Sequence, residues 1–556
     1  MDCMKLNSES LKNTGFWKQA GITLPQFDRN AMIAATNAAP KWVHFGAGNI
    51  FRAFPAALAQ SLLERGSETT GIIAAEGYDE EIIEKSFAAF DNLSILVTLK
   101  SDGTIEKKVI APVAMALNMS FQPHIDALRK IFASPSLQMA SFTITEKGYS
   151  LYDSKGIFFS DITEDLTVES TGNEKSCKSF IGKIALLLLD RYEKGAFPIA
   201  MVSMDNCSHN GDVLFNAVKT FADVWAENGT ADKGFLNYIS DKTKVSFPWT
   251  MIDKITPWPD YEAGNMLTSC GLEDMNGIIT AKNTYIAPFV NAEETQYLVI
   301  EDAFPNGRPA LEKAGVLFTD RQTVEKVERM KVCTCLNPLH TALAIFGTLL
   351  GYELVRDTMK DTDLVKLIEG IGYNEGLPVV TDPLIINPKE FLKEVIEVRL
   401  PNPFIPDTLR RIAIDSSLKI PIRFGETIKA YIKAGKDCTG LKHIPLVFAG
   451  WLRYHLGIDD DGRPFEISPD PGNETIKAAL AGFSRCIKKK GNDIEPSGKI
   501  TSCQIKEKLK PVLSNTSFFG VDLYAAECGL GQRVESYFMQ MLTPKSVRRI
   551  LSENLT

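Results

Sequence analysis

KWVHFGAGNIFRAF (residues 41–54) is a short apolar run that ends on two glycines and opens into a helix-spaced segment. Residues 41–46 read as a buried strand, and from Asn49 to Arg65 apolar residues recur at helical spacing until Gly66. The next run, GIIAAE (71–76), reads as a second buried strand. Strand, glycine turn, helix and strand make a βαβ unit. Glycines at that junction let the backbone turn tightly and lie close to a pyrophosphate, whose charge a helix N-terminus stabilises. The third glycine of the full GxGxxG pattern is missing, and Pro55 is expected to bend the helix or mark a later start. Candidate dinucleotide-binding residues are Gly46, Gly48, Asn49, Ile50, Phe51 and Arg52. Arg52 reads as a cation for the phosphates, or else as a solvated helix arginine. Glu76, at the end of the second strand, is placed to hold a ribose 2′-hydroxyl and repel a 2′-phosphate, which favours NAD over NADP. Asp79 is its rival, and a plain loop carboxylate is the alternative.

Outward from this unit, residues 93–99, 109–111, 139–145 and 199–203 read as further strands, with a helix pattern from Phe180 to Tyr192. Alternating strands and helices imply an α/β fold with a mostly parallel sheet covered on both faces. After about residue 320 strand-like runs nearly vanish. Helix patterns follow at 341–350, 362–371, 388–398, 427–434 and 444–455. The expected organisation is an expanded Rossmann-type domain with its N-terminal segment over 1–322, then a mainly α-helical substrate and catalytic domain over 323–556.

The 556 residues suit two or three domains, and 44% hydrophobic with 23% charged residues is an ordinary globular balance. A net charge of −8, spread along the chain, gives no reason to expect nucleic acid as a partner. No membrane-length apolar run and no signal-like start is evident, so a cytoplasmic location is expected. The ten cysteines are scattered, and none of the six histidines has a second at ligand spacing, so no metal site is expected. Asp459, Asp461 and Asp470 loosely resemble a calcium loop, but Pro464 stands where that loop needs glycine, and an acidic turn is the reading.

Four segments have the residue types for proton, oxyanion or anion chemistry. In ERMKVCTCLNPLH (328–340), Pro338 sits where a helix would begin, making Asn337 an N-cap and placing His340 on the first turn, with Lys331 on an extended piece before it. A partly desolvated lysine near other cations has a lowered pKa and can act as a general base. A surface lysine with an ordinary cap is the bland alternative. In SMDNCSHNG (203–211), after a strand, Asn206 can donate to an oxyanion; an Asx-rich turn is the alternative. TMIDKITP (250–257) sets Asp253 in an apolar stretch, and residues 410–423 group Arg411, Lys419 and Arg423 as an anion clamp or a solvated face.

With TITEKGY (143–149) and the stretch from Val299 to Pro309, these motifs stand in the order found in the long-chain mannitol dehydrogenase family, which the chain resembles over roughly residues 40–455. The resemblance implies NAD(P)-linked, zinc-independent hydride transfer at a secondary alcohol. It implies Lys331 as the catalytic lysine, Asn206 and Asn337 as oxyanion donors, and His340 as the residue that positions substrate. Glu328 is implied as a proton relay, Asp253 as the signature aspartate near the site, and Arg411 with Lys419 as a substrate-binding pair. The family holds polyol 2-dehydrogenases and hexuronate reductases. The cationic group with Arg423 favours a sugar acid, fructuronate reduced to mannonate; tagaturonate reduction, mannitol oxidation and a nucleotide-binding regulator without chemistry are the alternatives. Oligomeric state is left open. Asn337 follows Lys331 by six residues where the family spacing is five, so a bulge is expected to keep the lysine pointed inward.

Overall fold

In the computed structural model, residues 3–167, 176–258, 261–483, 502–543 and 545–555 are described. Contacts divide the chain into two units, residues 1–100 with 104–325, and residues 326–556 with 101–103.

The first unit is built on six parallel strands in the order Val113–Asn118, Ile72–Glu76, Trp42–Phe45, Met139–Phe142, Ile199–Ser203, Val245–Ser246. The chain enters in the middle, at Trp42–Phe45, builds to one side and then to the other. The order therefore reverses beside that strand, which is where open α/β sheets place a ligand. Alternation decides the two faces. Val43 and Phe45 join Ile73, Ala140 and Phe142 in one core, against the helix Phe180–Glu193. Trp42 joins Ile72, Ala74 and Met139 in the other, against the helix Pro55–Glu64. Every residue of Trp42–Phe45 is buried, as a central parallel strand requires.

The strand Ser94–Leu99 does not join this sheet. It pairs antiparallel with Ile105–Ile110 and parallel with Phe289–Glu293 in a separate three-stranded sheet. Its apolar alternation marks a strand, but its partner lies far along the chain, and local pattern holds no record of that. Val113–Asn118, an edge strand of the main sheet, has two half-buried residues. A third small sheet pairs Thr250–Asp253 with Tyr297–Glu301, which also pairs with Leu317–Thr319.

In the second unit the described residues form helices and no strand. Arg321–Leu349 runs as one 29-residue helical stretch whose most apolar window has a mean hydropathy of 1.4, enough by length and composition to cross a membrane; 78% of that window is buried inside the protein, as in a core helix. This stretch is not uniform. Its parts are an α-helix Arg321–Met330, a π-helical turn Lys331–Cys335 and a second α-helix Asn337–Leu349. Further π turns occupy Gly370–Gly376, Val395–Arg399 and Pro421–Gly425.

Candidate active site

The glycine turn is built as its sequence requires. Gly46 has φ +98, and a Cβ there would lie 2.2 Å from the Thr143 carbonyl oxygen, so only glycine fits between the neighbouring strands. Gly48 caps the short helix Asn49–Ala53, and a Cβ on it would meet nothing within 4 Å. The backbone above Gly48 is thus open to a ligand. The helix breaks at Phe54 and restarts at Pro55, whose missing N–H costs nothing at a first helical position. Phe51 is fully buried and stacks on His44 at 4.4 Å, so it offers a ligand backbone and no side chain.

Two residues of this region are placed differently from the sequence expectation. Arg52 is 1% exposed and turned inward. It donates to the Ala287 carbonyl at 2.6 Å and to Asn49 Oδ1 at 2.9 Å, and its Nε has no hydrogen-bond partner. Burial lowers its pKa to about 10. It braces the turn and adds positive potential beneath it, where the expectation had it reaching a phosphate. Glu76 is also turned inward, at 6% exposure. Its Oε2 accepts from Ala47 N at 2.8 Å, and its Oε1 accepts from the amides of Gly77, Tyr78 and Asp79 at 3.0, 2.8 and 3.2 Å. Burial raises its pKa, against the pull of these four amides. The carboxylate therefore clamps the glycine turn to the loop after the second strand, and a ribose hydroxyl finds it largely taken. The rival Asp79 is buried as well, and accepts from Thr280 Oγ1 at 2.6 Å. A turn that only glycine can make, an open Gly48 and a buried cation beneath them fit an anionic dinucleotide.

Asn206 is exposed on the loop that follows Ile199–Ser203. Its neighbours hold that loop. Buried Asp205 accepts from Ile144 N and Thr145 N, both at 2.9 Å, and from the Tyr149 hydroxyl at 2.6 Å. Buried Asn210 donates to the carbonyls of Asp205 and Thr250 and to Thr250 Oγ1, and accepts from Thr250 N. These bonds tie the Asn206 loop to the strand that ends at Asp253, which is 5% exposed. Sequence reasoning passed over Asp205 and Asn210. Their signal was the Asx-rich turn itself, whose polar residues are buried here as fasteners.

Lys331 is 4% exposed and is the first residue of the π turn, not part of an extended piece. Its carbonyl accepts from Leu336 N at 3.1 Å, five residues on. The expected bulge is therefore present in helical form. An α-helix advances about 100° per residue, so nine steps from Lys331 to His340 would place the two about 180° apart. A π turn absorbs one residue with little net rotation, leaving eight effective steps and a separation of about 80°. On that count the π turn shifts Lys331 toward the side of the helix that carries His340. Leu336 is the N-cap of the second helix and Asn337 its first residue, one position from the expected cap. Glu328 is half-buried, one turn before Lys331.

Two of the predicted cations, Arg411 and Arg423, act on His340, and Lys419 lies near those two arginines. His340 is half-buried, and desolvation lowers its pKa to about 4, with Asp407 opposing and Arg399, Arg423 and Arg411 adding to the shift. It is neutral at neutral pH. Arg423 donates to Thr341 Oγ1 at 2.6 Å and to the Asn337 carbonyl at 3.4 Å, and burial lowers its pKa to about 10. The Lys419 pKa is lowered by burial and by Arg423 and Arg411, and its ammonium donates to the Ile412 carbonyl at 3.3 Å. Arg411 pairs with Asp407, its side chain 65% exposed. The nearby thiols are unsuited to nucleophilic work, because burial pushes Cys333 to about 11 and Cys335 to about 12. Among the described residues, no three His, Cys, Asp or Glu side chains converge as metal ligands. Asp459 accepts from Arg463 and Asp470 accepts from Ser416 and Ser417, so the acidic residues near 460–470 serve separate turns.

Known proteins carry the same two-part arrangement. Residues 40–313 match the mannitol dehydrogenase Rossmann domain and residues 323–537 the mannitol dehydrogenase C-terminal domain. The chain is 50% identical over 555 residues to a D-mannonate oxidoreductase of Thermotoga maritima, covering 99% of each chain. A substrate-free D-sorbitol dehydrogenase superposes with a TM-score of 0.77 at 25% identity, over 99% of this chain and 100% of that one. The Pseudomonas fluorescens mannitol 2-dehydrogenase, solved as a ternary complex with NAD and D-mannitol, superposes at 0.66 with 27% identity, over 99% of both chains. With both halves matched in order and half of all residues shared with a full-length relative, the chain belongs to the mannitol dehydrogenase family.

Proposed function

We propose that this protein interconverts a hexuronate and its alcohol, reducing fructuronate to mannonate. The observation that carries the reading is the set of cations, with Arg411 and Arg423 acting on a neutral His340 and Lys419 acting with those two arginines. Such a group suits a sugar that bears a carboxylate. The 50% identical relative is named for the same reaction. A nicotinamide, when bound, supplies the hydride for reduction and takes it in oxidation. Lys331 gives its proton to the substrate oxygen as the carbonyl becomes an alcohol, and takes it back in the reverse direction. The amides of Asn206 and Asn337 donate to that oxygen as charge builds on it. Glu328 passes the proton between Lys331 and solvent, and His340 and Asp253 position the sugar. The division of labour follows the two domains, 1–322 for the dinucleotide and 323–556 for substrate, in the cytoplasm.

NAD is the proposed dinucleotide. Asp79 is a buried carboxylate just after the second strand whose Oδ1 has no hydrogen-bond partner, and its negative charge disfavours a 2′-phosphate. The mannitol 2-dehydrogenase neighbour was solved with NAD. One observation favours a neutral polyol as the second reading: Arg411 already has a carboxylate partner in Asp407. Steady-state rates with fructuronate, tagaturonate and fructose, each with NADH and NADPH, separate the two. The proposal expects fructuronate with NADH to have the highest kcat/KM, and a preference for fructose would refute it.

A further inference from the structure

The loop that carries Asn206 is fastened at two neighbouring residues. Asn210 is bonded to Thr250 through its side-chain amide and carbonyl. One residue earlier on each segment, His209 lies flat on Trp249, with 4.1 Å between ring centroids and 17° between planes. A hydrogen-bonded cluster at one residue fixes where a loop ends, and a second contact beside it removes rotation about that point. Trp249 is itself held. Its backbone amide donates to Glu301 Oε2 at 3.1 Å, and the Arg321 guanidinium carbon lies 4.8 Å from its ring centroid. Arg321 in turn donates to Glu301 at 2.8 Å, to Asp212 at 3.0 Å and to the Phe247 carbonyl at 3.2 Å. The indole Nε1 has no hydrogen-bond partner, so ring contacts hold the Trp249 side chain.

His209 has φ +52. A left-handed backbone at a residue other than glycine is strained and persists where neighbouring contacts over-determine it. Here the ring is stacked, and the carbonyl accepts from Asp212 N at 2.9 Å and Val213 N at 3.2 Å as the helix Asn210–Asn228 begins. The turn at His209 therefore sets the direction of the chain between that helix and Asn206.

We propose that His209 and Trp249 are positioning residues for Asn206: their stacked rings lock the left-handed turn and so aim the Asn206 amide at the substrate oxygen. The inference rests on the reading of Asn206 as an oxyanion donor. Neither ring needs to touch substrate. A merely structural pair would add its own loss to that of Asn206, whereas a positioning pair has nothing left to aim once the amide is gone.

The experiment is a double-mutant cycle of Trp249→Leu and Asn206→Ala, with Trp249→Phe and His209→Asn beside it. The kcat and KM are measured for fructuronate reduction, or for fructose if that is the faster substrate, with NADH affinity from fluorescence and melting temperature alongside. Asn206→Ala is expected to lower kcat about 10²–10³-fold, as loss of an oxyanion donor does. Trp249→Leu is expected to lower kcat at least about fivefold with NADH affinity unchanged, because a slightly misplaced catalytic group is costly. Trp249→Phe keeps a ring against His209 and is expected to stay within about twofold of the parent. His209→Asn, at an exposed position, keeps a residue that tolerates the left-handed backbone but removes the stacked ring, and is expected to lose as much as Trp249→Leu. On the Asn206→Ala background Trp249→Leu is expected to cost less than about twofold. If Trp249→Leu melts too low to assay, His209→Asn takes its place in the cycle. Parental kcat in Trp249→Leu or His209→Asn, or a loss undiminished by Asn206→Ala, would overturn the proposal. Parental kcat in Asn206→Ala would instead remove the oxyanion role, and the proposal with it.

Discussion

Glu76→Gln separates two roles for the carboxylate at the end of the second strand. In a clamp, Oε1 takes three amides and Oε2 takes Ala47 N. Glutamine has one acceptor oxygen. In its better orientation that oxygen keeps Gly77, Tyr78 and Asp79, and its NH2 then faces the Ala47 amide, donor against donor. Stranding one buried donor costs about 1–3 kcal/mol, equivalent to about 5- to 150-fold in an equilibrium constant. Ala47 lies between the two glycines of the turn, so the loss falls on the loop that receives the dinucleotide. NADH and NADPH should both bind at least about fivefold more weakly, by similar factors, because the damage is to the turn they share. Fluorescence titration with each nucleotide reads this directly, and a thermal melt reports the accompanying loss of stability. The ribose-reading role gives the opposite pattern: removing the charge weakens NADH and improves NADPH. A change of more than about tenfold in the NADH to NADPH affinity ratio would refute the clamp, since it needs a difference of about 1.4 kcal/mol that a shared loop cannot provide.

Lys331→Ala should lower kcat by about 10²–10⁴-fold, the usual worth of a positioned acid–base group, with NADH affinity close to the parent by titration. Arg423→Met should raise the KM for fructuronate more than that for fructose; equal effects would mean that Arg423 serves the helix through Thr341 and not a carboxylate. Deleting Val332 turns the Lys331 carbonyl to Leu336 amide bond into an ordinary α-helical one while keeping the phase, so turnover should survive, whereas adding a residue there turns Lys331 by about 100° and should abolish it. Burial lowers the folded pKa of His44 to about 3 and that of His340 to about 4, both below the ordinary 6.5. Below pH 6.5 the unfolded chain takes up protons that both folded imidazoles refuse, so stability falls as pH drops from 6.5 toward 4. Melting temperatures over that range should fall less steeply in His44→Asn.

The βαβ unit was legible because its signals are local. Continuous burial along Trp42–Phe45 is read from an unbroken apolar run, and a glycine forced to φ +98 and a proline at a helix restart follow from short-range sterics. The side-chain directions of Glu76 and Arg52 were not legible, since both are decided by partners brought in by folding: Ala47 and Tyr78 amides for one, the Ala287 carbonyl for the other. The same holds for Ser94–Leu99, whose sheet is chosen by Phe289–Glu293. Around Lys331 the six-residue spacing pointed to an irregularity, yet its form needed the structure. Between neighbouring residues a π turn and an α turn differ little, and the difference in phase accumulates only over several residues. For that reason the helix patterns read at 362–371 and 388–398 run on past the α-helices Thr362–Glu369 and Pro388–Glu394 into π turns.

Each π turn of the second unit carries a charged side chain that is buried or nearly so: Lys331, Glu375, Arg399 and Arg423. The association has a physical basis. An α-helix satisfies its own backbone and projects side chains at fixed phases, so a bundle packed on apolar stripes has no phase left for an inward charge. Inserting one residue re-aims a single side chain and leaves both helix ends where the packing needs them. The charge then takes partners from other elements. Glu375 accepts the amides of His443 and Ile444 at 2.7 and 2.8 Å and caps the helix His443–Tyr454. Arg423 reaches Thr341 on the helix of Asn337 and His340. Thr427 donates to the Cys333 carbonyl at 3.0 Å and ties the turn of Lys331 to the helix Glu426–Lys433. Lys331, Arg399 and Arg423 are each seated on such a break, so the helical domain holds these cations without dismantling its apolar core.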